Sequence, residues 1–201
     1  MKILLATHNQ HKKIEMLNML QNLDIEVITL LDLNDLEDVI EDGDTFYSNA
    51  LLKAKYFAIK HQMITVSDDS GLMVDYLDGR PGVHSKRFSV STSDNDNIEL
   101  MLHVLKDTNN RAAQFISVIC LYDPFKNEER FYEGIVQGEI TKEAVGSHGF
   151  GYDPIFYVKE QKKTMAEMPL EIKNQISHRA IALKKLKEDI YENIDYFRCT
   201  R

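Results

Sequence analysis

Val66-Ser67-Asp68-Asp69-Ser70-Gly71 is the stretch on which the reading of this chain turns. In front of it Met63-Ile64-Thr65-Val66 is a short β-prone run, and behind it Leu72-Met73-Val74 resumes extended character. Two adjacent carboxylates are thus expected where a buried strand ends. An ionised carboxylate is costly to bury alone, so the pair is exposed, paired or holding a cation. Side chains alternate across a strand; unless the strand curls, one of Asp68 and Asp69 faces a site while the other braces the loop. Asp, Ser and Gly are also turn formers, and a solvated turn is the competing reading.

Upstream, residues 2–6 read as a buried strand, followed by the polar loop Thr7-His8-Asn9-Gln10-His11 and a helix whose period is carried by Ile14, Leu17 and Leu20 with Met16 and Met19 beside them. Strand, loop and helix deliver backbone N–H groups and a positive helix end to one place, which favours an anion. Lys12 opposes the helix dipole there; a bound phosphate is one reason for it, and a solvated lysine behind an Asn9 N-cap is the other. Residues 25–31 are a second strand candidate. The acidic stretch 32–44 is expected to be a loop ending in the turn signal Glu41-Asp42-Gly43. Thr45 then caps a helix to about His61, with Asn49, Lys53 and Tyr56 on one face and Phe46, Ala50, Ala54 and Ala58 as the neighbouring apolar stripe.

Downstream, residues 77–82 form a strong turn and Ser85-Lys86-Arg87 a local basic element. Ile98, Met101, Leu102 and Leu105 mark an amphipathic helix. Residues 115–122 suit a central strand buried on both faces. Residues 130–140 read as its pairing partner, with Gly134 and Gly138 as expected bulges. Residues 146–156 interleave Gly146, Gly149 and Gly151 with Phe150, Tyr152 and Phe156, a shaped loop suited either to stacking on a flat ligand or to packing. Pro169 opens a short helix containing Lys173, and Ser177-His178-Arg179 precedes the last helix, which buries Leu183, Leu186 and Ile190; a His-Arg pair at a helix start is usually surface.

The 201 residues suit one domain with two lobes, and 43% hydrophobic with 28% charged residues is ordinary for a soluble protein. The net charge of −8 argues against a general nucleic-acid binder, without excluding an anionic small substrate. No apolar run is long enough to span a bilayer. The N-terminus runs from Met1 into Thr7-His8-Asn9 without a signal-peptide core. Cys120 and Cys199 do not make a disulfide framework. A cytoplasmic location is expected.

The ordered set of motifs resembles the inosine triphosphate pyrophosphatase family, the XTP/dITP diphosphatases. The residues that carry it are Ala6-Thr7-His8-Asn9-Gln10-His11-Lys12 with Glu15, Glu41-Asp42-Gly43-Asp44-Thr45-Phe46, Asn49-Ala50, Lys53-Ala54, and Asp68-Asp69-Ser70-Gly71-Leu72. They continue through Gly79-Arg80-Pro81-Gly82-Val83, Ser85-Lys86-Arg87, the run from Gly149 to Phe156, Lys163-Thr164-Met165-Ala166-Glu167 and Ser177-His178-Arg179. The resemblance implies a mixed α/β fold around a long curved sheet flanked by helices, in two lobes with the site in the cleft between them. It implies hydrolysis of ITP, dITP and XTP to monophosphate and pyrophosphate, a need for Mg²⁺, and a homodimer.

Carried over residue by residue, Glu41 and Asp69 would hold the metal, and Asp69 would accept the proton of the attacking water. Thr7, His8, Asn9, Gln10, His11, Lys12 and Ser70 would bind the phosphates, with Lys53 and Arg87 adding positive charge. Phe150, Gly151, Tyr152, Asp153, Lys173, His178 and Arg179 would hold the base, with Phe150 stacked on it and donors such as Lys173 and Arg179 set for its 6-oxo group. The residue types suit the chemistry: cleaving a triphosphate needs charge neutralisation and a placed water, and Mg²⁺ takes one or two carboxylates plus waters and phosphate oxygens.

The chain departs from this pattern at Ser48, where relatives usually carry Glu, and more mildly at His8 and His11. Ser48 is expected in the first helical turn facing Glu41 and Asp69, so that Ser48→Glu would lower the half-saturating Mg²⁺ concentration. The competing readings are a septum-inhibitor-type pyrophosphatase acting on pyrimidine or modified nucleotides, a nucleotide-binding regulator without catalysis, and a phosphatase with an Asp nucleophile at Asp68-Asp69.

Overall fold

The computed structural model describes residues 2–21, 23 and 25–193; Cys199 lies outside them. The apolar Lys2–Leu5 forms β1, and Gln10–Leu20 forms α1 behind an Asn9 cap. Glu26–Thr29 is β2, Phe46–His61 is α2 and Thr65–Val74 is β3. Then follow α3 (Asp94–Val104), β4 (Ala112–Asp123), β5 (Glu128–Ile140), β6 (Phe156–Val158), β7 (Lys163–Thr164), α4 (Leu170–Ile176) and α5 (His178–Glu192).

The strands join in one seven-stranded sheet in the order β2-β1-β3-β4-β5-β6-β7. β1 lies parallel to both β2 and β3, with Leu4 opposite Ile28 and Thr65, so α1 and α2 each lie in the connection between parallel strands. β5, β6 and β7 pair antiparallel. The sheet is therefore mixed and the fold is α/β.

Two compact units divide the chain: Met1–Asp69, Ser117–Gly134 and Ala180–Arg201 form one, and Ser70–Ile116 with Ile135–Arg179 the other. In the first, Ile3, Leu5, Met16, Val66, Ile119, Leu183 and Leu186 share a core, and Leu4, Ala6, Leu30 and Phe57 form a smaller cluster. The second is built on Leu72, Val74, Met101, Phe115, Ile155, Phe156 and Met165. Among the described residues no helix is long and apolar enough to cross a membrane.

Several expectations are corrected. The stretch at Asp68 is not a turn: β3 runs unbroken from Thr65 to Val74, with both carboxylates buried inside it. α1 buries Met16 and Leu20, one helical turn apart, together with Glu15, while Ile14 is 47% exposed and Leu17 and Met19 pack at the flank. In β5, Gly138 also has no room for a side chain, because a Cβ there would lie 2.5 Å from the Tyr157 carbonyl oxygen. His178 and Arg179 are buried rather than superficial, at 9% and 2% exposure. Tyr152 and Phe156 are core residues, which leaves Phe150 as the part-exposed aromatic of its loop.

Candidate active site

The first unit gathers the metal candidates and the phosphate candidates from Thr7 to Lys12 with Lys53, while Ser70 and Arg87 belong to the second. α2 begins where Thr45 accepts the Ser48 N–H, with Ser48 bonding back to Thr45. That start sets Asn49 and Lys53 one turn apart. Lys53 Nζ lies 2.5 Å from Glu41 Oε1 and donates to the Asp68 carbonyl at 2.6 Å. Asn49 Nδ2 donates to Asp69 Oδ2 at 3.1 Å, and its Oδ1 accepts the Gly43 N–H at 2.8 Å. Lys12 Nζ lies 3.2 Å from Asp68 Oδ2 with its side chain mostly buried, so it is not a solvated lysine; the Asp68 carboxylate offsets its unfavourable place at the helix start.

The electrostatics follow from burial. Burial raises the Asp69 carboxyl above its ordinary range; Lys53 and Lys12 pull it down, Glu41 adds to the rise and the Asn49 bond opposes it. Burial works against the Lys53 charge, but Asp68, Glu41 and Asp69 outweigh it and hold the ammonium above its ordinary value. Among the described residues no group of three or more His, Cys, Asp or Glu side chains gathers as a metal cage. The hard oxygens of Glu41 and Asp69, two carboxylates within electrostatic reach of each other, suit an ion that completes its shell with waters and phosphate oxygens.

The loop before α1 is already partly satisfied from within. Asn9 Oδ1 accepts the N–H groups of His11 and Lys12 at 3.0 and 3.1 Å, and Thr7 Oγ1 accepts that of Asn9 at 3.2 Å. Gln10 and His11 are exposed. His8 is exposed too, its Nε2 2.8 Å from the Glu37 carbonyl.

The second unit gathers the base candidates. Asp153 Oδ2 accepts the Phe150 N–H at 3.0 Å and Lys173 Nζ at 2.7 Å, both side chains buried. Gly149 has φ +80° and no room for a side chain, since a Cβ would sit 1.9 Å from Asp153 Oδ2. Lys173 Nζ is 5.6 Å from the centre of the Phe150 ring and the Arg179 guanidinium carbon 5.8 Å. Arg179 donates to Ser70 Oγ at 2.8 Å, and His178 stacks on Phe115 at 4.7 Å. Tyr152 donates its hydroxyl to the Ser85 carbonyl at 2.8 Å, which commits its side chain to the core. Gly151 gives its N–H to Asp94. Arg87 ends the turn of 3₁₀ helix Gly82–Arg87 and is exposed.

A sequence model of the Ham1 family matches residues 3–189. The chain belongs to the Ham1 family. Its relatives match it over nearly its whole length. It is 44% identical over 191 residues to the dITP/XTP pyrophosphatase of Oceanobacillus iheyensis, covering 93% of this chain and 96% of that protein. It is 41% identical over 198 residues to the dITP/XTP pyrophosphatase of Thermoanaerobacter sp. (strain X514), covering 97% and 99%. Among solved structures, the Ham1 protein of Staphylococcus aureus is similar with a TM-score of 0.87 at 40% identity, over 96% of this chain and 99% of that one.

Three residues outside the expected site set hold it together. Asn49 was legible from its place one turn before Lys53. Asp68 was legible as the neighbour of Asp69, though not as the partner of Lys12. Asp94 had no local signal, because Ser93-Asp94-Asn95-Asp96 reads as an ordinary helix start.

Proposed function

We propose that the chain hydrolyses non-standard purine nucleoside triphosphates, ITP, dITP and XTP, to the monophosphate and pyrophosphate, and so removes deaminated purines from the nucleotide pool. The observation that carries the reading is the pair of largely buried lysines, Lys12 and Lys53, set among Asp68, Asp69 and Glu41 in an acidic protein. Buried cations interleaved with carboxylates suit a polyphosphate and a hard cation together. The names of the Oceanobacillus and Thermoanaerobacter relatives support the substrate class, and with it a hydrolase acting on acid anhydrides.

In this reading water attacks the α-phosphorus, the α–β anhydride bond breaks, and pyrophosphate leaves with the bonding electrons. Asp69 accepts the proton of the attacking water. Lys12 and Lys53 balance the phosphate charge. Glu41 and Asp69 would hold Mg²⁺, which when bound would supply positive charge to the phosphate oxygens. Phe150 stacks on the purine. Lys173 and Arg179 donate to a 6-oxo group and leave the adenine amino group badly paired. Tyr152 acts through its backbone. A homodimer belongs to the same reading and rests on the family resemblance, and a cytoplasmic location rests on the cysteine usage and the N-terminal sequence.

The test is incubation with ITP, XTP, ATP and UTP plus Mg²⁺ and identification of the first products. Inosine monophosphate and pyrophosphate are expected, with ATP and UTP turned over poorly. Inosine diphosphate and orthophosphate as first products would overturn the reading.

A further inference from the structure

We infer that Asp94 is a positioning residue for Phe150: from the start of α3 its carboxylate holds the Gly151 N–H and, with Asp153, fixes the ring on which the base is stacked. The stacking role rests on the proposed function; the clamp itself does not.

α3 does not need Asp94 as its cap. Ser93 Oγ accepts the Asp96 N–H at 3.1 Å and donates to Asp96 Oδ2 at 2.8 Å, and the Ser91 hydroxyl also bonds Asp96. The Asp94 carboxylate instead accepts the Gly151 N–H at 2.7 Å, 57 residues further along the chain. A charged acceptor makes this bond stronger than a neutral one.

The held segment is one that needs holding. Residues 142–149 are exposed on the approach to it. Three successive residues are then fixed by separate partners: the Phe150 N–H by Asp153, the Gly151 N–H by Asp94, and the Tyr152 hydroxyl by the Ser85 carbonyl. Gly151 has φ +60° with nothing within 4 Å of a Cβ position, so its glycine serves the turn rather than space. The Asp94 charge also adds to the rise that burial imposes on the Tyr152 hydroxyl.

Three variants test the role. Asp94→Ala removes the acceptor; Asp94→Asn keeps an oxygen there; Asp96→Ala disturbs the start of α3 without touching Gly151. Asp94→Ala is expected to raise KM for ITP about 5- to 20-fold, the scale of one charge-assisted hydrogen bond, with kcat within about twofold. It is also expected to speed hydrogen exchange in residues 149–153. Asp94→Asn, which keeps a neutral acceptor, should fall between Asp94→Ala and wild type in both measurements. Asp96→Ala should lower Tm and leave KM alone. An unchanged KM in Asp94→Ala, or Asp94→Asn as impaired as Asp94→Ala, overturns the inference. If the wild-type protein does not turn over ITP, the proposed function fails, and the exchange measurement still decides the clamp: unchanged exchange in Asp94→Ala refutes it.

Discussion

Asn49 joins Asp69 to the loop that carries Glu41 through a single amide, its Nδ2 donating to Asp69 Oδ2 at 3.1 Å while its Oδ1 accepts the Gly43 N–H at 2.8 Å. The two carboxylates assigned to the metal come from segments far apart in the chain, and this fully buried side chain sets their spacing. Asn49→Leu keeps the volume and removes both bonds. The two lost bonds cost on the order of 1 kcal/mol each, and turnover is expected to fall about 10- to 100-fold as the carboxylates lose their geometry. Wild-type kcat in a folded Asn49→Leu protein would mean that Asp69 is oriented by other contacts.

Asp69→Asn separates stability from activity. Because burial raises the Asp69 carboxyl in the native state, its contribution to stability is fully present below the ordinary carboxylate pKa and is lost as pH rises through the raised native value. At neutral pH without divalent ions the variant is therefore expected to melt no lower than wild type, while turnover falls on the order of a hundredfold or more. Calorimetry beside steady-state kinetics checks the pair; near-normal turnover would move the proton acceptor to Asp68.

Local signals and long-range partners account for what the sequence disclosed. The start and end of α2 were readable because Thr45 caps it through its own side chain and the helix stops at His61 before Gln62 in left-handed backbone. The cap of α1 at Asn9 and the burial of β4 were readable for similar reasons. The turn reading at Asp68 failed because partners for its carboxylates arrive from elsewhere, Lys12 on α1 and Asn49 on α2, and with partners in place the strand runs on. Local sequence alone reads His178 and Arg179 as surface, against the family resemblance that sets them in the site, because Phe115 and Ser70, which they contact, lie more than sixty residues away in sequence. The motif residues were legible as a set; which of them touch was not, since contacts such as Asp94 with Gly151 leave no periodicity behind.

Asp35 gives an acid-stability prediction remote from the chemistry. Lys60 Nζ lies 2.7 Å from its carboxylate, His61 Nε2 is also at 2.7 Å, and the Glu37 N–H donates to it at 3.0 Å. The Lys60 contact is the main cause of a carboxyl held well below the usual range. A depressed native pKa contributes stability above the unfolded value of about 4; the contribution is lost as pH falls through the native value. Asp35→Asn should melt below wild type at pH 7, and the two curves should draw together as pH drops below about 4. A Tm gap that stays constant from pH 7 to pH 3 refutes this account.

Gly149 and Gly151 make a matched pair. Both have positive φ, but a Cβ at Gly149 would collide with Asp153 Oδ2 at 1.9 Å and approach Lys173 Nζ at 2.9 Å, whereas one at Gly151 meets nothing within 4 Å. Gly151→Ala is expected to cost only the backbone term, about 1–2 kcal/mol, or roughly 2–8 °C in Tm for a chain of this size. Gly149→Ala carries the same strain and also displaces the Asp153–Lys173 pair. Its KM for ITP should rise more than about tenfold through loss of a buried, charge-assisted contact. Equal kinetics in the two variants would show that the pair adjusts without consequence for the base.

Ser48, where the chain leaves the usual pattern, is spent on the helix cap rather than on the metal. Its Oγ accepts the Thr45 N–H at 3.1 Å and lies 2.8 Å from the Thr45 carbonyl, to which it donates, so the hydroxyl is not aimed at Glu41 and Asp69. Thr45 and Ser48 form a capping box in which the residue at the third helical position is Ser instead of the usual Glu or Gln. Ser48→Glu is therefore expected to keep the box, its carboxylate reaching back to the Thr45 N–H and meeting the positive helix end. A gain of about 0.3–1 kcal/mol follows, which is roughly 1–4 °C in Tm at this chain length. Because the carboxylate is held by the cap, the half-saturating Mg²⁺ concentration should stay within about twofold of wild type. Melting curves and Mg²⁺ titrations of both proteins decide between the two destinations of that side chain. A higher Tm with superimposable Mg²⁺ curves places it at the cap; a lowered half-saturating Mg²⁺ concentration with no gain in Tm would put it at the metal and refute the capping account.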